Sequence, residues 1–137
     1  MKTTAMALAV SMFVAGPAMA GADVKLKGTE DVLGNKIGYP EGQAEITGVD
    51  VVQKPGECNG WHSHPVPTFG LVKSGELTVT YATGEVKLFK TGDMLIEAQH
   101  VAHEGCNTGD ADLEVLVFYA GSKDVPNTNM REDERPQ

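Results

Sequence analysis

Gly56-Glu57-Cys58-Asn59-Gly60-Trp61-His62-Ser63-His64-Pro65-Val66-Pro67-Thr68 decides the reading of this chain, because it carries two histidines two residues apart. In an extended strand, residues i and i+2 face the same side, so His62 and His64 leave the backbone in one direction. Two such imidazoles can meet one metal ion at about 2.0–2.1 Å per Zn–N bond. A third ligand must come from a different strand, and Ala98-Gln99-His100-Val101-Ala102-His103 supplies the candidates. All four histidines of the chain lie between His62 and His103. That concentration points to a metal site more than to a packed core.

Outward from this stretch, short β-branched runs alternate with turn residues, as in a sandwich or barrel. Leu77, Val79 and Tyr81 alternate with Thr78 and Thr80, the pattern of a half-buried strand. Thr83-Gly84 turns the chain into Val86-Lys87-Leu88-Phe89, which predicts a hairpin. Thr91-Gly92-Asp93 leads into Met94-Leu95-Ile96, and Asn107-Thr108-Gly109-Asp110 leads into Leu113 through Tyr119. That last run is apolar on both faces at its far end, as expected of a covered strand. Before Gln43 the pattern is hard to read, with one strand expected around Val24 to Leu26 and another near Ile37. From Asn127 onward no apolar period remains, and residues 127–137 are expected to form a solvated polar tail.

Residues 1–20 read as a signal peptide, with Lys2, an apolar run from Ala5 to Val14, and Ala18-Met19-Ala20 as the cleavage pattern. Gly16-Pro17 interrupts the run before it reaches the roughly 20 residues of a membrane span. Export to the periplasm or beyond is therefore expected, with cleavage after Ala20. The remainder is one domain by size, with residues 21–126 as its body. The net charge of −8, made more negative by loss of Lys2, argues against nucleic acid or an anionic membrane as partner. In an oxidising compartment Cys58 and Cys106 are expected to pair; free buried thiols or a thiolate ligand are the alternatives.

The chain resembles the cupin superfamily in two motifs. The first runs from Gly56 through His62-Ser63-His64 and Thr68 to Gly75, and the second from Gly92 through Ala98-Gln99-His100 and His103 to Asn107. The resemblance implies an all-β fold, a single-domain double-stranded β-helix (jelly-roll barrel). It implies metal ligation by His62, His64 and His103. Thr68 stands where many metal-binding cupins carry a glutamate, and Ala98 and His100 replace a Pro and a Gly of the second motif. A three-histidine site is the implied outcome, as in thiol and diketone dioxygenases of the family, and small uncharacterised bacterial cupins look similar around Trp61 to Pro65.

Three neutral imidazoles leave a divalent ion its full charge, which favours small anionic or chelating substrates whose charge the metal neutralises. Fe(II) is the favoured metal, and Mn, Zn, Ni or Cu are compatible with imidazole ligands. Glu97, His100 and Cys106 are candidate fourth ligands, each with an ordinary structural alternative. Phe69, Leu77, Val79, Leu95, Val101, Val115 and Val117 are expected to fill the barrel, with Trp61 packed outside the pocket. Beyond Glu97, no catalytic acid or base stands out in the motifs. The expected function is a dioxygenase-type oxidoreductase; a non-catalytic metal or small-ligand binding protein, and a metal-independent isomerase, are the competing classes. The partner is then a small molecule, with a homodimer as the preferred assembly.

Overall fold

The computed structural model describes residues 21–136, so the expected signal peptide lies outside the described residues. Among the described residues, nine strands form two antiparallel sheets: β1 (Ala44–Gln53), β2 (His62–Ser63), β3 (Thr68–Ser74), β4 (Glu76–Tyr81), β5 (Val86–Lys90), β6 (Met94–Ile96), β7 (His103–Asn107), β8 (Leu113–Ser122) and β9 (Asn129–Met130). One sheet runs β1-β8-β3-β6 and the other β5-β4-β7-β2-β9. No α-helix occurs among the described residues. The fold is all-β, as the alternating runs and turn residues predict.

Period-two burial sets which side chains enter the space between the sheets. In β4, Leu77, Val79 and Tyr81 are buried while Glu76, Thr78 and Thr80 are half-exposed. Val72, Leu77, Val79, Tyr81, Ala98, Leu113 and Val115 form one buried cluster, with Val51, Val101 and Val117 packed against it. Phe69 differs from expectation. Its neighbours Thr68 and Gly70 take the inward positions of β3, and Phe69 stacks outside the barrel on Phe118, ring centroids 5.5 Å apart. A one-residue offset in a strand reverses the face, so Phe69 cannot share a side with Thr68.

The predicted hairpin between Tyr81 and Val86 is present, closed by the Tyr81 N–H to the Glu85 carbonyl. At Gly75, φ is +84°, and a Cβ there would lie 2.8 Å from the Asp112 carbonyl oxygen and from Leu113 Cα. Only glycine meets both the left-handed backbone and that close approach. Asn107 closes the turn toward β8: its amide donates to the Gln53 and Ala111 carbonyls, and its Oδ1 accepts from the Gly109 N–H.

Two segments depart from the sequence reading. No strand forms at Val24 to Leu26 or at Ile37; instead Asp31 folds the chain into a turn bridged at Glu30 and Lys36. Its Oδ1 accepts the N–H groups of Leu33 and Asn35 and its Oδ2 the N–H of Gln99. A short carboxylate that bonds nearby backbone competes with strand pairing, which accounts for the turn in place of a strand before Ile37. The segment after Asn127 is not simply a solvated tail, because Asn129 and Met130 pair with Ser63 and His62. Backbone hydrogen bonding to the short strand β2 supplies an order that side-chain periodicity does not reveal. β1, with β8 the longest strand among the described residues, has no counterpart in the sequence reading.

Candidate metal centre

Antiparallel pairing sets His62 of β2 directly opposite His103 of β7. His64 follows two residues along, on the same face as His62. Its backbone is held to the second motif by the His100 N–H, which donates to the His64 carbonyl. The three rings converge, with centroids 4.5 Å apart for His62 and His103, 4.8 Å for His62 and His64, and 5.1 Å for His64 and His103. One ring nitrogen from each lies within 4.8 Å of the others. All three residues are buried.

The tautomers follow from the partners. His62 Nδ1 lies 2.7 Å from the Gly60 carbonyl oxygen, His103 Nδ1 2.8 Å from that of Val101, and His64 Nδ1 2.9 Å from that of Asn127. A carbonyl can only accept, so each Nδ1 carries the hydrogen and each Nε2 keeps its lone pair. Burial is the main cause that pushes His64 and His103 down to about 4, so both are neutral at pH 7 and able to donate those lone pairs. His103 Nε2 is buried and has no hydrogen-bond partner among the described residues. A buried polar atom without a partner is costly, and an ion would satisfy it. The residues present therefore fit a divalent metal.

Around the trio lies a cavity of about 70 Å³. Val51, Leu77, Val79, Leu95, Val115 and Val117 give it apolar walls, and Gln53, Asn59, Thr68, Glu97 and Tyr119 add polar groups. Thr68, at the place of the motif glutamate, turns its hydroxyl to the Val66 carbonyl at 3.1 Å. Glu97 Oε1 lies 3.9 Å from His103 Nε2 and accepts the Tyr81 hydroxyl at 2.8 Å. Tyr81 is pushed upward, by burial first and then by Glu97, and keeps its proton. Tyr119 lies beside His64, ring centroids 5.4 Å apart, and burial likewise raises its hydroxyl.

The other candidate ligands separate cleanly. His100 is exposed and adopts φ +67°, so it serves as a turn residue where the motif has glycine. Cys106 is joined to Cys58 in a disulfide, the expected pairing, and offers no thiolate. Trp61 is buried but does not line the cavity, as the strand geometry predicts. Tyr81 and Asn127 escaped the sequence reading. Tyr81 looked like one more inward residue of an alternating strand, and Asn127 acts through its backbone carbonyl, which no residue type announces. Gln99 was missed too: its side chain bonds both backbone groups of Gly38 and the Pro65 carbonyl, and ties the early segment to the second motif.

Among solved structures, an uncharacterised conserved protein with a double-stranded β-helix domain from Klebsiella pneumoniae is 21% identical with TM-score 0.55, over 80% of this chain and 90% of that one. DMSP lyase DddQ from Ruegeria pomeroyi is 18% identical with TM-score 0.56, over 66% of this chain. Oxalate decarboxylase from Bacillus subtilis is 22% identical with TM-score 0.52, over 56% of this chain. This chain spans only 45% of the lyase and 22% of the decarboxylase, so those likenesses concern the barrel alone. A search of the curated proteins finds no match. Residues 41–119, from the start of β1 to near the end of β8 and so including both histidine motifs, match the Cupin domain family, and the chain belongs to that family.

Proposed function

We propose that this protein is an exported cupin that holds a divalent transition metal, Fe(II) by preference, on His62, His64 and His103. We further propose that it works as a dioxygenase-type oxidoreductase on a small anionic or chelating substrate. One observation carries the reading: three buried imidazoles have each Nδ1 tied to a carbonyl, with Nε2 left free and that of His103 without a partner. When bound, a metal supplies Lewis acidity and, for iron, redox chemistry.

The residues divide the remaining work. The carbonyls of Gly60, Val101 and Asn127 orient the rings. The apolar walls restrict water, and the cavity size limits a substrate to a few heavy atoms. Glu97 is the one carboxylate on the cavity wall among the described residues. The Cys58–Cys106 disulfide supports the export half of the proposal, since such bonds persist in oxidising compartments.

The test is elemental analysis of protein purified from the periplasm without chelator, beside a His62→Ala/His103→Ala control. Oxygen uptake is then measured with thiols, diketones, phenols and oxalate. Near-stoichiometric metal lost in the control, together with oxygen consumption, is the expected result. Absence of metal above the control after reconstitution overturns the proposal. A non-catalytic metal or ligand-binding role is the second reading, favoured by the small cavity and its mostly apolar wall; it predicts retained metal with no substrate consumed.

A further inference from the structure

Glu97 occupies an unusual place for the only carboxylate of the cavity. It immediately follows β6, and its backbone N–H donates to the Thr68 carbonyl at 2.8 Å. Position 97 is therefore the cross-strand neighbour of the position where the first motif would carry its glutamate. Thr68 cannot replace that charge, since its hydroxyl is neutral and already bonded to Val66. The Glu97 side chain is only 13% exposed, and no lysine or arginine lines the cavity. A carboxylate so enclosed needs a cation, and the cavity wall provides none.

Two donors hold one of its oxygens. Tyr81 O–H and the Ala98 N–H both reach Oε1, at 2.8 and 3.2 Å, whereas Oε2 has no hydrogen-bond partner among the described residues. A ligating carboxylate is commonly fixed in this way by a hydrogen bond to one oxygen. Glu97 stands outside the mutually close trio of histidines, but its Oε1 is 3.9 Å from the unpartnered His103 Nε2. Ligand atoms on one tetrahedral ion lie roughly 3.4 Å apart. Closing the gap to His103 takes about half an ångström, and the carboxylate must swing further to reach His62 and His64, since it lies outside their 4.8 Å group.

We propose that Glu97 is a fourth ligand to the metal held by His62, His64 and His103, so that the carboxylate has moved one strand over, from β3 to the end of β6, with Tyr81 as its positioning residue. This rests on the metal reading above. It changes the chemistry of the site, because a bound divalent centre then carries one net positive charge and is neutralised by a single monoanionic substrate.

The test uses full-length apo protein and Co²⁺ alone, with affinity measured by chelator competition and coordination followed by the visible Co(II) bands. Glu97→Gln preserves the shape and the acceptor for Tyr81. It should weaken Co²⁺ binding at least about tenfold and shift the bands, while the apo variant melts at or above the wild-type temperature. Tyr81→Phe should cause a smaller loss with the bands in place. A loss below tenfold for Glu97→Gln, or unchanged bands, overturns the assignment; Glu97→Asp, which withdraws the carboxylate by one methylene, is read by the same criteria if the Gln variant does not fold. Failure of the wild-type protein to take up Co²⁺ refutes the metal reading itself, and is distinct from uptake that ignores Glu97.

Discussion

His62 and His103 are supported quite differently from His64. The first two donate Nδ1–H to carbonyls two residues upstream on their own segments, Gly60 and Val101, and face each other across one ladder position. A disulfide between Cys58 and Cys106 further fastens these two segments. His64 relies on Asn127, 63 residues away, on a strap whose Asn129 and Met130 pair with Ser63 and His62 and which is also tied by Asn127 to Thr47 and by the Trp61 N–H to Glu132. Two ligands are thus oriented locally and covalently braced, and the third is oriented by a non-covalent strap. A local device survives changes elsewhere in the molecule; a distant one depends on the strap that carries it, here an edge strand of the same sheet.

The bluntest way to break the contrast is to remove the ligands themselves. His62→Ala or His103→Ala should each lower metal affinity on the order of a thousandfold or more, read by chelator competition. Loss of neither would mean that the trio does not bind metal.

Acid should act next, on the metal-free protein. His64 and His103 are held near 4 in the fold against an ordinary 6.5, so the unfolded chain binds more protons between those values. Stability is full above about pH 6.5 and falls as pH drops toward 4, by up to about 1.4 kcal/mol per pH unit for each group. Urea midpoints measured from pH 7 to pH 4 should decline; a flat series would contradict the burial of neutral rings.

Replacing Cys58 and Cys106 together by Ser opens a closure of sequence separation 48 and should cost about 4 kcal/mol in urea unfolding. Metal affinity should fall less than the stability change, because the Gly60 and Val101 carbonyls remain. Ending the chain after Pro126 should do the opposite. Affinity should drop about 10- to 100-fold through His64, with stability changed less than by the cysteine pair. Equal behaviour of the two variants would erase the distinction between braced and strapped ligands.

The smallest effect belongs to His100. Its φ of +67° suits glycine, and His100→Gly should change stability by less than about 1 kcal/mol and leave metal affinity unchanged. A large loss of metal would return His100 to the ligand set.

These contrasts also separate what is legible in a sequence from what is not. His62 and His64 could be read because a two-residue spacing on a strand has a single geometric meaning, and His103 because the second motif resembles that of the cupins. Gly75 and Asn107 are readable for a similar reason, since a left-handed crowded backbone and a side chain bonded to its own turn demand particular residue types. The Cys58–Cys106 pair followed from the expected compartment. Asn127 and the strap were invisible, because a carbonyl serves equally well from any residue. Asp31 and Gln99 lay hidden in polar stretches that resemble ordinary loop. Phe69 was placed on the wrong face because its neighbours, not its own hydrophobicity, decide the direction of its side chain. Glu97 is legible as one of three candidate fourth ligands, but not its distance to His103, which depends on how β6 lies beside β3.

The ladder pairing of His62 with His103 has a kinetic consequence. Those two rings form the fixed jaw of a clamp whose other jaw, His64, is steadied by a short outer strand. An ion in such a clamp need not wait for the barrel to unfold before leaving. If a metal is bound there as proposed, partial detachment of Asn127 to Met130, an opening of lower free energy than global unfolding, would release the His64 ring, unpair the His62 backbone and give the ion a route out.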